Sequence, residues 1–370
     1  MKILIIENNL AGGGAEKVLL TILDELKPPM YDVTLLLIKN KGIYLQSIPK
    51  HVKVQYMLDV RNGDIPFPKS REPLIDYYIN HVDDDFDVEI AFLEGPPTKL
   101  LSCSSNLKSL KIAWIHIDLQ KAHWTHTYYT SLEDERLCYK KMDKLVFVSQ
   151  NAQKGFEQLF KIEIENAIVV KNPINQEKIK LLAEQYSVKY NGFSCVVVGS
   201  LCNRKGQSRL LFAMGRLFEL GYTFHLYMVG EGKEEESYKE LAHLLNISAY
   251  VHFIGFQTNP YPYIKGASLL ISSSITEGYP LVICEALCLG VPVIATWCTG
   301  NRDVLCEGKY GLLVDNSEEG LFIGLKKILN SPQLYKDIKK KALLGKEEIT
   351  YEERIKLIKD LIKKEEDKNV

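Results

Sequence analysis

Short apolar runs of about five residues, each followed by a glycine or polar turn and then a helix-length segment, recur from one end of this chain to the other. Lys2–Glu7 is the first, followed by glycines at 12–14 and an amphipathic stretch at 15–27. Residues 33–38, 88–92, 110–115, 144–148 and 167–170 repeat the pattern. Runs that are apolar throughout, rather than alternating, suit strands buried on both faces, and helices between them make those strands parallel, in βαβ units. A second series begins after Asn172-Pro173-Ile174, with strands at 193–198, 225–229, 251–253, 269–272 and 293–295 and helices at 207–220, 234–245 and 279–289. At 370 residues the chain exceeds what one core serves. The expectation is an α/β protein with two doubly wound parallel-sheet domains, facing a cleft that receives ligands from the carboxyl ends of the strands.

Charge and apolar run lengths exclude other classes. With 46 Lys+Arg against 47 Asp+Glu the formal net charge is -1, without the basic excess of a dedicated nucleic-acid binder. The longest charge-free run, 286–301, is broken by Gly290 and Pro292 and falls short of the roughly 18 apolar residues of a membrane span. Met1-Lys2-Ile3-Leu4-Ile5-Ile6 is too short for a signal peptide and reads as a buried strand. The expected location is therefore cytoplasmic, where the eight cysteines stay reduced as core residues. Cys284 and Cys288 would share a helix face, but neither a histidine nor a further cysteine completes a zinc set. The tail from Ser331 is helical and charged, and its end, Lys363-Lys364-Glu365-Glu366-Asp367-Lys368, reads as a solvated, fraying segment.

Three turns carry the chemistry. In the first, Ser272-Ser273-Ser274-Ile275-Thr276-Glu277-Gly278-Tyr279-Pro280-Leu281-Val282 leads from a strand into a helix that holds Glu285 two turns inside. Proline is favoured in a first turn, and the free N–H groups around Pro280, Leu281 and Val282 make a seat for an anion such as a diphosphate. Glu277 and Glu285 cannot bind phosphate, but they can accept hydrogen bonds from hydroxyls of the same ligand. In the second, Val198-Gly199-Ser200-Leu201-Cys202-Asn203-Arg204-Lys205-Gly206, glycine admits a ligand to the backbone while Arg204 and Lys205 neutralise phosphate oxygens. In the third, Gly12, Gly13 and Gly14 let a ligand approach before the first helix. The second strand ends Ile38-Lys39-Asn40, without the acid of a dinucleotide fingerprint, so a nicotinamide cofactor is excluded. His116 stands at the carboxyl end of a strand; His123 and His126, three apart in a Tyr-rich stretch, read as loop residues rather than a metal pair. Asp83-Asp84-Asp85 reads as a solvated turn, so no metal and no cofactor is assigned.

Gly-Gly-Gly-Ala-Glu-Lys at 12–17, Val-Gly-Ser-x4-Lys-Gly at 198–206, Val229-Gly230-Glu231-Gly232, and Glu277-Gly-Tyr-Pro continuing to Glu285-Ala-Leu-x-x-Gly290-Val-Pro-Val-Ile-Ala295-Thr296 occur in that order. Together they resemble the motifs of retaining glycosyltransferases of family 4, which have the GT-B fold of two Rossmann-like domains. The resemblance spans nearly the whole chain and is dense over 196–313. It implies an acceptor-binding domain at 1–172, a nucleotide-sugar-binding domain at 173–345, and a C-terminal helix and charged tail at 346–370, the helix returning to the N-terminal domain. It places Glu277 and His116 on the donor sugar, Glu285 on the nucleotide ribose and Lys205 on the diphosphate, with Gly13, Gly14, Gly278, Tyr279, Pro280, Leu281 and Val282 lining the nucleotide-sugar site. The family usually has arginine where this chain has Ser200, and Arg204 is expected to supply that charge.

The implied reaction is hexosyl transfer with retention, from a nucleotide-diphosphate donor (a UDP-sugar favoured) to a glycan or polyprenyl-linked acceptor in capsule or lipopolysaccharide synthesis. Such work calls for peripheral contact with the inner face of the membrane, for which Lys99, Lys108 and Lys111 with Leu100, Leu101 and Leu107, and the stretch 124–129, are candidates. The rivals are a soluble small-glycoside synthase and a catalytically silent nucleotide-binding subunit.

Overall fold

The computed structural model describes the chain apart from residues 61–64, 84, 163–165, 348–349 and 364–370 and the side chain of Glu347. Asp84 of the acidic run and the fraying end of the tail thus lie outside the described residues. The apolar runs form two parallel sheets. The first comprises β1 (Lys2–Glu7), β2 (Asp32–Lys39), β3 (Lys53–Leu58), β4 (Val88–Ala91), β5 (Leu110–Ile115), β6 (Lys144–Phe147) and β7 (Ala167–Val169), in the order β3-β2-β1-β4-β5-β6-β7. The second comprises β8 (Ser194–Val198), β9 (His225–Val229), β10 (Val251–Gly255), β11 (Leu269–Ser272), β12 (Val293–Thr296) and β13 (Leu312–Val314), in the order β10-β9-β8-β11-β12-β13. Every pairing between these strands is parallel. Strand order reverses between β1 and β4 in one sheet and between β8 and β11 in the other, and such switch points open a crevice at the carboxyl ends of the strands.

The chain divides into two compact units, Met1–Pro173 with Glu352–Val370, and Ile174–Tyr351. Each has its own core. In the first, Leu4, Ile6, Leu36, Ala91, Ala113 and Phe147 meet Leu74, Leu100 and Phe156 of the covering helices. In the second, the helix Gln207–Glu219 buries Leu210, Leu211, Met214 and Leu217, spaced as one helical face, against Leu226, Met228 and Ile271 of the sheet. The last helix, Tyr351–Leu361, buries Ile355, Ile358 and Leu361 and belongs to the first unit apart from its first residue. Lys359 pairs with Glu25 at 3.0 Å, and Arg354 donates to the carbonyl of Asn172 at 2.7 Å. All eight cysteines are free; six are buried, Cys202 is half-buried and Cys306 is exposed.

Of the apolar, basic surface expected in the N-terminal unit, Lys99, Leu100 and Leu101 are interior, while in the stretch 124–129 His126 and Thr127 are exposed and Trp124 and Tyr128 half-buried. The helix Pro96–Leu101 is buried along its whole length. Its Lys99 is fully buried, donating to the carbonyls of Lys69 and Tyr128 and pairing with Asp134 at 3.3 Å. Leu100 and Leu101 are core residues, Tyr129 is buried, and Lys111 turns inward to Asn106 and Glu89. Of the first cluster only Leu107 and Lys108 remain exposed. No helix among the described residues is long and apolar enough to cross a membrane.

Candidate active site

The turns after β8 and β11, the two strands flanking the switch point of the second sheet, are laced together. Gly206 follows Lys205 with φ +64°, and a Cβ there would lie 2.2 Å from the carbonyl oxygen of Ser273. Only glycine permits both this backbone conformation and this approach. The Ser273 hydroxyl donates to the carbonyl of Lys205 at 2.8 Å, and the Ile275 N–H donates to the carbonyl of Arg204 at 2.9 Å. Arg209 adds a bond to the Ser273 carbonyl at 2.8 Å.

This lacing brings three sequence-predicted residues onto one another. Lys205 Nζ lies 2.5 Å from Glu277 Oε1 and Arg204 Nη1 lies 3.4 Å from Oε2, while the Ser274 hydroxyl donates to Oε1 at 2.6 Å. Glu277 is 7% exposed. Burial pushes its carboxyl up, but the charges of Lys205 and Arg204, with the Lys205 and Ser274 hydrogen bonds, outweigh this and hold it below its ordinary value. Glu277 is therefore a buried anion backed by two cations at the carboxyl end of β11. Ser200, where the family's arginine would stand, offers its carbonyl to Gln207 at 2.9 Å.

The helix beyond Glu277 runs Leu281–Cys288, later than the 279–289 expected, because Pro280 takes an extended conformation as its N-cap. Gly278 and Tyr279 thus form the approach to the helix, and Leu281 and Val282 head it with N–H groups that have no partner inside it. Glu285 stands one turn in rather than two, 4% exposed, accepting from the Tyr261 hydroxyl at 3.3 Å. Gly300 presses against the same approach: its N–H donates to the Glu277 carbonyl at 3.0 Å, and a Cβ there would meet the Gly278 oxygen at 2.6 Å.

In the N-terminal unit, His116 lies just past β5. Its N–H donates to Glu94 Oε2 at 2.9 Å, and its Nε2 is buried without a hydrogen-bond partner. Burial lowers its pKa to about 3 against the pull of the Phe92 backbone, so the imidazole is neutral at pH 7. Gly13 caps the helix Gly14–Glu25, but its N–H and that of Gly12 donate to Glu16 Oε2 at 3.0 and 2.5 Å. The Gly13 amide, read from the sequence as open to a ligand, is thus capped by a carboxylate three residues on. Buried Glu7 and Glu94 escaped the sequence reading. Glu94 also accepts the Trp124 indole N–H at 3.0 Å, and only its place after a strand at the switch point signalled it. His123 pairs with buried Glu135 at 2.7 Å. Asp85 is ion-paired with Lys2, and among the described residues no group of three His, Cys, Asp or Glu side chains is arranged for a metal.

Residues 183–344 match the family model described as Glycosyl transferases group 1. An uncharacterized glycosyltransferase of Methanocaldococcus jannaschii is 30% identical over 230 residues, which cover 60% of this chain and 57% of that protein. A Campylobacter jejuni protein named N-acetylgalactosamine-N,N'-diacetylbacillosaminyl-diphospho-undecaprenol 4-alpha-N-acetylgalactosaminyltransferase is 25% identical over 363 residues, 96% of each chain. Among solved structures, Anabaena HepE in complex with UDP-glucose superposes with a TM-score of 0.77 at 20% identity, covering 98% of this chain and 99% of that one. The two parallel-sheet units and the structural match give the chain the GT-B fold. More narrowly, its C-terminal unit is a group 1 glycosyltransferase domain, and the Lys205–Glu277 pair lies within the matched residues.

Proposed function

We propose that the chain is a retaining hexosyltransferase that moves a sugar from a UDP-sugar to a glycan or polyprenyl-diphosphate-linked acceptor in bacterial surface-polysaccharide synthesis, working at the membrane's cytoplasmic face. The observation that carries this reading is the buried Glu277 carboxylate, neutralised by Lys205 and Arg204 beside the head of the helix Leu281–Cys288. The HepE complex with UDP-glucose supports the donor class, and the name of the Campylobacter relative supports a lipid-diphosphate acceptor.

Negative charge grows on the departing diphosphate while positive charge grows on the sugar ring. Lys205 carries three donors, so it can keep one on Glu277 and turn others to phosphate oxygens; Arg204 and the N–H groups of Leu281 and Val282 add to that end. Glu277 takes hydroxyls of the transferred sugar, and Glu285 takes the ribose hydroxyls. These cations do the work of a divalent ion, so the proposed reaction runs without one. Neutral His116 orients the sugar, and the departing phosphate receives the acceptor's proton, so the new bond forms on the face that the diphosphate leaves.

Incubation with radiolabelled nucleotide sugars, with and without polyprenyl-diphosphate-linked saccharides and in the presence of EDTA, tests the reading. Transfer of an α-linked UDP-sugar to the lipid-linked acceptor, with an α-anomeric coupling constant in the proton NMR of the product, is expected. A β-linked product refutes retention, and transfer to none of the acceptors refutes the assignment.

A further inference from the structure

Around His116, the carboxyl end of the first sheet holds further polar groups to which no role has been given above. Ile6, Ala91 and Ala113 share one row of the sheet, so the residues after them, Glu7, Phe92 and Trp114, share the next row and its opposite face. His116, two residues past Trp114, lies over the same face. The Phe92 ring touches both neighbours, its centroid 4.9 Å from Trp114 and 5.0 Å from His116. Glu7 Oε2, Trp114 Nε1 and His116 Nε2 are all buried without a hydrogen-bond partner. Buried polar atoms are ordinarily paired, and three orphans on one sheet face beside a switch point indicate a ligand of matching chemistry.

Building on the glycosyltransferase reading, we propose that Glu7, with the Trp114 indole N–H and His116, forms a subsite for the hydroxyls of a neutral sugar ring, and that Glu7 helps set which sugar is accepted. Among the described residues no lysine or arginine is hydrogen-bonded or ion-paired to Glu7, Glu94 or His116, and the cluster's own groups are those that suit hydroxyls. Burial, joined by the charges of Glu16 and Glu94, pushes the Glu7 carboxyl well above its ordinary value against the pull of the Asn8 N–H. A carboxyl that keeps its proton both donates and accepts. A sugar hydroxyl does the same, while an indole N–H only donates and the neutral His116, its other ring nitrogen turned to the Phe92 backbone, offers Nε2 as an acceptor. Glu94 fixes the geometry by holding the His116 N–H and the Trp124 indole. The hydroxyls belong either to the donor's hexose or to the acceptor's terminal sugar.

Glu7→Leu separates this role from a structural one. Glu7 Oε1 accepts the Asn8 N–H at 2.7 Å while Oε2 has no partner, so an apolar side chain of similar size trades one hydrogen bond for relief of a buried orphan and should leave Tm within a few degrees of wild type. Calorimetry compares UDP-, GDP- and dTDP-hexoses with their free nucleoside diphosphates, and initial rates give KM for polyprenyl-diphosphate-linked mono- and disaccharides. The expected result is a loss of at least about tenfold in one sugar-dependent quantity, with free-diphosphate affinity within twofold of wild type. A shift in hexose affinity assigns the donor's ring, and a shift in acceptor KM assigns the acceptor's. Glu7→Gln, which keeps one donor and one acceptor, should fall between. If wild type binds a donor and Glu7→Leu changes neither quantity, or lowers Tm and diphosphate affinity together, the subsite is overturned alone. Wild type that binds no donor overturns the glycosyltransferase reading with it.

Discussion

Replacing Lys205 with methionine removes the strongest partner of a buried carboxylate while keeping the side chain's length. Lys205 is one-fifth exposed and its Nζ lies 2.5 Å from Glu277 Oε1; without it Glu277 keeps Ser274 at 2.6 Å and Arg204 at 3.4 Å. A hydrogen bond to a charged group contributes about 1.5–3 kcal/mol. Because Arg204 remains, the loss should stay within that range rather than reach the 3–5 kcal/mol or so of a fully orphaned buried ion. For a unit of this size each kcal/mol moves Tm by about 2–4 °C, so the transition of the C-terminal unit should fall by about 3–12 °C at pH 7. The pH dependence has a definite sign. Glu277 is held below its ordinary value of 4.5 in the folded protein, so its contribution is full above that value and fades as pH falls through the depressed one. Lys205→Met relieves the depression, and the gap between wild type and variant should be widest at pH 7 and shrink below about pH 4.5. Differential scanning calorimetry from pH 3.5 to 7.5 reads both effects. A shift under about 1 °C at pH 7, or a gap that widens on acidification, would refute the electrostatic account.

Glu285→Ala should weaken binding of free UDP by roughly ten- to a hundredfold, since a carboxylate on ribose hydroxyls acts in the ground state; unchanged affinity by calorimetry removes the ribose assignment. Glu277→Gln should lower turnover more than it lowers UDP affinity, and equal losses in kinetics and calorimetry would move Glu277 to the nucleotide. With its pKa near 3, His116 is neutral from pH 5.5 to 8, so His116→Asn should slow transfer without changing the shape of the pH–rate profile in that window. Disappearance of a limb near pH 6.5 in that variant would mean that His116 titrates during turnover.

The interior strands were legible because burial on both faces leaves a continuous apolar run, as in Cys195-Val196-Val197-Val198. The two strands that escaped, β3 and β13, are both sheet edges. Lys53-Val54-Gln55-Tyr56 carries an edge strand's polar and half-exposed residues, and β13 is three half-buried residues long. The basic surface around Lys99 failed for the converse reason: lysine is read as solvated, and its partners, the carbonyls of Lys69 and Tyr128 and the carboxylate of Asp134, lie about 30 residues away in the chain. Within the candidate site, Glu277, Arg204 and Lys205 were visible as residue types after strands, whereas their ion pair spans 72 and 73 residues and depends on Gly206 admitting the Ser273 carbonyl. Glu7 and Glu94 had no motif around them. Their significance lies in the register of β1, β4 and β5, which only the fold supplies.

The most direct measurement is a crystal structure of the full chain soaked with UDP and with the UDP-sugar that supports transfer. The account predicts diphosphate oxygens within hydrogen-bond distance of Lys205 Nζ and the N–H groups of Leu281 and Val282, ribose hydroxyls on Glu285, and hexose hydroxyls on Glu277. A diphosphate bound away from Lys205, or a ribose that leaves Glu285 untouched, would contradict it.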